Sequence, residues 1–102
     1  MHLIQILLPI HASDGSPFPI EMFARVRVEL TEQFGGVTAY SRSPATGLWK
    51  RDDEAMERDQ VIMVEVVVDE FDRDWWIGYR AQLEVRFGQE EVHTRALAME
   101  RI

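Results

Sequence analysis

The chain has 102 residues, of which 18 are acidic and 11 basic, giving a formal net charge of -7. That length supports one domain, 1–102, with a single modest core, and hydrophobic and aromatic shares of 46% and 10% mark it as globular rather than disordered. The acidic balance repels phosphate backbones and argues against nucleic acid, while the absence of cysteine excludes disulfides, thiolate metal sites and cysteine nucleophiles.

The N-terminal run M-H-L-I-Q-I-L-L-P-I-H-A lacks a Lys/Arg segment, and Gln5 interrupts its apolar part. It reads as a strand rather than a secretion signal. With no cysteine present, a cytoplasmic location is expected. No apolar run approaches the ~20 residues of a spanning helix, and no basic amphipathic segment suits a membrane surface. Strand one is His2 to Pro9, ending where proline cannot donate to a ladder. His11 to Pro19 is a loop. Pro19 suits the first position of a helix, since its missing N–H costs nothing there. The helix runs to about Phe34. Phe23, Val26, Leu30 and Phe34 make its buried stripe, and Glu21, Arg25 and Glu29 recur four apart on the exposed side. Gly35-Gly36 stops it.

Val37 to Arg42 is strand two. Ser43 to Gly47 is a turn or bulge, Leu48 to Lys50 resumes an extended segment, and Arg51 to Asp59 is the solvated tip of a hairpin. The acids Asp52, Asp53 and Glu54 lack the glycine and oxygen spacing of a calcium loop. Gln60 to Asp69, Q-V-I-M-V-E-V-V-V-D, is the most hydrophobic run and nearly all β-branched, which predicts a central strand. The period then changes from 2 to 3.6. Asp72 or Asp74 caps a second helix with Trp76, Tyr79, Leu83 and Phe87 as its apolar stripe, ended by Gly88. Adjacent Trp75 and Trp76 point about 100° apart, so one enters the core while the other takes a boundary or dimer contact. Glu91 to Met99 is the last strand.

The order β-α-β-β-α-β with right-handed crossovers predicts an α+β, ferredoxin-like sandwich. Its antiparallel sheet has the order 4-1-3-2, with two helices on one face. Ile4, Ile6, Leu8, Ile62, Val64, Val66 and Val68 then face the helices. Leu3, Gln5, Leu7, Val61, Met63, Glu65 and Val67 face away, and that surface is too apolar to leave in water. The simplest cover is a second copy, sheet on sheet, making a homodimer. The alternative cover is Arg51–Asp59 or the C-terminus.

Glu65 is the one acid within the central strand. A carboxylate there must be paired, hydrogen-bonded, neutral or beside a wet cavity. Gln5 lies on the adjacent strand. Strand two adds Thr38, Tyr40 and Arg42, or Val37, Ala39 and Ser41; strand four adds Arg95 and His93, or Thr94. Trp49 packs or lines a pocket mouth. Two readings follow. In one, Glu65 is a structural partner of Arg42 or Arg95 that fixes register. In the other, Gln5, Tyr40, Arg42, Trp49, Met63, Glu65 and Arg95 surround a small, partly apolar ligand, with Glu65 as the candidate catalytic base.

No cofactor is expected. His11 and His93, with Asp14, Glu90 and Glu91, are weak metal candidates without short ligand spacing. The serines lack a G-x-S-x-G setting, and no phosphate-binding glycine motif is present. RNA-recognition domains share this element order, but they stack bases on aromatics of the two central strands, where this chain has Leu, Gln, Met, Val and Glu.

Two stretches, F-G-G-V-T-A-Y-S-R-S-P-A-T-G-L-W-K at 34–50 and Y-R-A-Q-L-E-V-R-F-G-Q-E-E-V at 79–92, carry a resemblance. The chain resembles a family of small uncharacterised bacterial proteins with G-x-T…G-x-W and R-F-x-Q-E-x-V segments. Trp49, Arg86, Phe87, Gln89 and Glu90 fall on the matching positions. The resemblance implies a ferredoxin-like domain of the dimeric α/β-barrel type and supplies no assigned catalytic residue. The expectation is a homodimeric domain with a binding or structural role; the alternative is a cofactor-independent small-molecule enzyme or ligand sensor centred on Glu65.

Overall fold

The computed structural model describes residues 1–42 and 61–102, without the side chains at positions 39–42. The expected turn at 43–47, the extended 48–50 and the hairpin tip at 51–59 lie outside the described residues. The elements in chain order are β1 (His2–Pro9), α1 (Ile20–Phe34), β2 (Thr38–Arg42), β3 (Val61–Val68), α2 (Arg73–Arg86) and β4 (Thr94–Ala98). Together they form a small α+β domain. The sheet is antiparallel, its hydrogen-bonded neighbours running β2-β3-β1-β4.

β3 forms because its β-branched run fits a pleat on both faces. It pairs with β1 in the register Ile4↔Val66, Gln5↔Glu65 and Ile6↔Val64. Directly opposed residues share a face, so that register puts the even-numbered residues of both strands together. Ile4, Ile6, Leu8, Val64, Val66 and Val68 are buried in one core with Val26 and Leu30 of α1 and Trp76, Tyr79 and Leu83 of α2. Both helices therefore cover the same sheet face.

α1 starts at Ile20, one residue later than expected: Pro19 stands at the cap, with φ -58° but an extended ψ of 143° and no side-chain cap. It ends at Gly35, which takes a φ of 84° that glycine adopts without a Cβ penalty. Asp72 caps α2, its carboxylate accepting from the Trp75 N–H at 3.2 Å. β4 is shorter than the expected 91–99. The Val92 N–H donates to the Glu84 carboxylate at 3.0 Å, docking the chain onto α2 before it joins the sheet. Trp76 enters the core, and Trp75 fills the boundary expected of one member of the pair. Trp75 meets Phe34 edge-on at 5.0 Å and stacks with Tyr79 at 5.1 Å, so it is used between the helices rather than on the opposite sheet face.

The helices are also joined by a charged cluster. Glu29 accepts two hydrogen bonds from Arg86, at 2.6 and 2.8 Å, and one from the Tyr79 hydroxyl at 2.9 Å. Arg25 adds an ion pair at 3.5 Å. Glu29 is thus drawn toward α2 and leaves the fully exposed side its four-residue spacing with Arg25 suggested. The Arg86 guanidinium holds the Glu29 carboxyl below its ordinary value of 4.5, against partial burial, with Tyr79 adding to the effect. Burial, then the bond to Glu29, push the Tyr79 hydroxyl up.

Two predictions follow from these contacts. Gly35→Ala forces a side chain into a left-handed position and should cost about 1 kcal/mol in urea unfolding. Gly36 has no positive φ and open space around it, so Gly36→Ala should cost much less. For Glu29, a lowered folded-state pKa contributes stability present above 4.5 and lost as pH falls through the folded value. Wild type should therefore lose stability below pH 4.5 more steeply than Glu29→Gln, whose profile there should be flatter. Parallel profiles in chemical denaturation would contradict the cluster.

Candidate functional site

The sheet face away from the helices is organised in rows set by register. The first row runs Val67–Leu3–Leu97 across β3, β1 and β4, and the second runs Glu65–Gln5–Arg95. The register extends these rows into β2, where position 38 lies opposite Glu65, position 40 opposite Met63 and position 42 opposite Val61. Of the two sets that strand two offered, the backbone selects Thr38, Tyr40 and Arg42 for this face. The side chains of Tyr40 and Arg42, and all of Trp49, lie outside the described residues.

The second row is a hydrogen-bonded relay. The Gln5 carboxamide donates through Nε2 to Glu65 Oε2 at 2.6 Å. Its oxygen accepts from Arg95 Nε at 2.7 Å. One neutral amide thus bridges a guanidinium and a carboxylate on strands that are not neighbours. Each bond has a charged partner, which shortens and strengthens it relative to a neutral pair. The expected direct pairing of Glu65 with Arg95 is not formed among the described residues. β1 lies between their strands, and Gln5 occupies the gap. Glu65 Oε1 makes no hydrogen bond to a described residue. The relay's geometry fixes charge positions.

Exposure varies along the face. Met63 is fully buried, Gln5, Leu3, Leu7, Val61 and Glu65 are half-buried, and Val67 and Leu97 are 39% and 44% exposed. The first row is therefore an open apolar strip beside the polar relay. Leu97 is absent from the candidates drawn from the sequence. Its signal was its place in the alternation of the last strand, which needed the β1–β4 register to become a position beside Leu3.

The weak metal candidates His11 and His93 lie near the end of β1. The His93 carbonyl accepts from the Leu7 N–H at 2.9 Å, while His11 sits four residues farther along, beyond Pro9, and bridges to Pro17. Among the described residues, no group of three or more His, Cys, Asp or Glu could hold a metal ion. Asp14 is instead engaged locally. The hydroxyl and N–H of Ser16 both donate to it and hold its carboxyl below the ordinary carboxylate range.

No family model matches the chain, and no curated protein matches it. Among solved structures it is similar to a phage SAM lyase in the apo state, with a TM-score of 0.49 and 12% identity over 99% of this chain and 91% of that one. A likeness of that size carries no argument about activity.

A double-mutant cycle tests the relay. Gln5→Leu and Glu65→Leu should couple by about 1 kcal/mol in urea unfolding. Strictly additive effects would mean the Gln5–Glu65 bond contributes nothing measurable.

Proposed function

We propose that the protein is a cytoplasmic, ferredoxin-like domain that works as a homodimer, pairing through the face away from the helices, with a binding or structural role. The observation that carries this reading is the exposed row Val67–Leu3–Leu97 lying directly beside the relay Glu65–Gln5–Arg95. Apolar side chains at 39% and 44% exposure on a sheet face are stabilised when a second sheet excludes water. A second copy is favoured by the charges. A two-fold axis along the strands sets the guanidinium of one copy opposite the carboxylate of the other, where Glu65 Oε1 has no described partner. Isologous pairing of this kind is self-complementary. The absence of cysteine in 102 residues suits a reducing compartment. No helix among the described residues is long and apolar enough to cross a membrane.

The same oxygen, without a partner among the described residues, supports a second reading, a small partly apolar ligand held over Glu65 in an enzyme or sensor. Such a ligand would sit in a cavity enclosed near the centres of the paired sheets.

Sedimentation tests the homodimer. Wild type should migrate at twice 11.9 kDa at micromolar concentration. Val67→Lys with Leu97→Lys should give a folded monomer by circular dichroism, because two buried, unpaired ammonium groups oppose association. A wild-type monomer would overturn the proposal.

A further inference from the structure

A second feature lies on the helix side of the sheet and does not depend on how the opposite face is covered. β4 presents Thr94, Ala96 and Ala98 toward the helices, opposite Ile6, Ile4 and His2. These small side chains leave space at an edge strand. Above it, Arg73, Trp76, Ile77 and Arg80 recur at helical spacing, so one face of α2 overhangs the gap. The result is a pocket of about 260 Å³ between α2 and β4, with His2 and Phe71 completing its lining.

Its chemistry differs from that of the rest of the chain. The formal net charge is -7, yet none of the lining residues is acidic, and two arginines, Arg73 and Arg80, overhang the gap from α2. A third arginine in the lining, Arg95, turns its side chain to the opposite face, where its Nε donates to Gln5. Arg73 and Arg80 make no hydrogen bond among the described residues. Arg73 lies over the Phe71 ring at 5.2 Å, and Arg80 forms a long ion pair through Nε with Glu84 at 3.9 Å. Arg86, by contrast, is committed to Glu29 by two hydrogen bonds and also donates to Gln82. The apolar lining is equally unspent. Ile77 is 47% exposed, and the His2 and Phe71 rings lie 5.1 Å apart beside it. The start of α2 is not itself the site, since Asp72 already caps the Trp75 N–H.

The geometry points to this pocket as a binding site for a small organic anion, a carboxylate or phosphate ester carrying a compact apolar group. The apolar part rests against Ile77 and the Phe71 and Trp76 rings. The anionic group meets the forked donors of Arg80 or Arg73, which match carboxylate and phosphate oxygens in pairs. The volume falls below the range of about 300–1,000 Å³ that accommodates drug-sized ligands, so the occupant is smaller than those.

Titration of the isotope-labelled protein with benzoate, phenyl phosphate and neutral benzamide, read by backbone amide shifts, tests the site. At millimolar concentration, benzoate or phenyl phosphate should saturably shift amides within 73–80 and 94–98, and benzamide should not. The stronger of the two anions identifies the head group. Arg73→Gln with Arg80→Gln should weaken that anion roughly tenfold or more. Ala96→Leu, at an exposed edge position, should block binding by filling the gap while both arginines remain, so a failure of the arginine variant to fold does not end the test. Absence of saturable shifts with both anions, equal binding of benzamide, or unchanged affinity in folded Arg73→Gln/Arg80→Gln or Ala96→Leu would overturn the site.

Discussion

The pairing of β1 with β3 sets the terms for the rest of the molecule. Side chains alternate across a sheet with a period of two, so a one-residue slip would exchange the two faces of a strand. With Ile4 opposite Val66 and Ile6 opposite Val64, the even-numbered residues meet α1 and α2 in the core. The odd-numbered residues are thereby committed to the other face. Gln5 must then lie opposite Glu65, and Leu3 opposite Val67. Both the core and the outward surface follow from one choice of register.

That constraint gives the polar relay its meaning. A slipped β1 would lose its core packing and would also leave Glu65 beside an apolar side chain. The amide of Gln5 satisfies one carboxylate oxygen and simultaneously orders Arg95 on the neighbouring strand. Buried or half-buried polar groups of this kind are tolerated when they are bonded, and they penalise alternative pairings when they are not. The second charged cluster, Glu29 with Arg86 and Tyr79, performs the same task between the helices.

Much of this was legible in the residues. Proline at position 9, proline at 19 and glycine at 35 punctuate β1 and α1 where chain chemistry says they should. The β-branched run fixed β3 to within a residue at each end. Its alternation separated Met63 and Glu65 from Val64 and Val66. Other features depended on contacts between distant segments. Glu29 carries a local four-residue pairing with Arg25, and nothing in that spacing shows Arg86 reaching it from another helix. Val92 looks like strand, but its N–H is taken by Glu84. Glu65 and Arg95 look like an ion pair until β1 is placed between them. The pocket beneath Arg73 and Arg80 needed two patterns at once, the helical repeat of α2 and the small residues of β4.

The functional account rests on the outward face being an interface between copies of this chain. Intermolecular nuclear Overhauser effects in a mixture of isotope-labelled and unlabelled protein address it directly. Cross-peaks between the methyl groups of Leu3, Val67 and Leu97 in different copies are the expected result. A folded protein whose filtered spectrum shows no contact between copies at these methyls would contradict it.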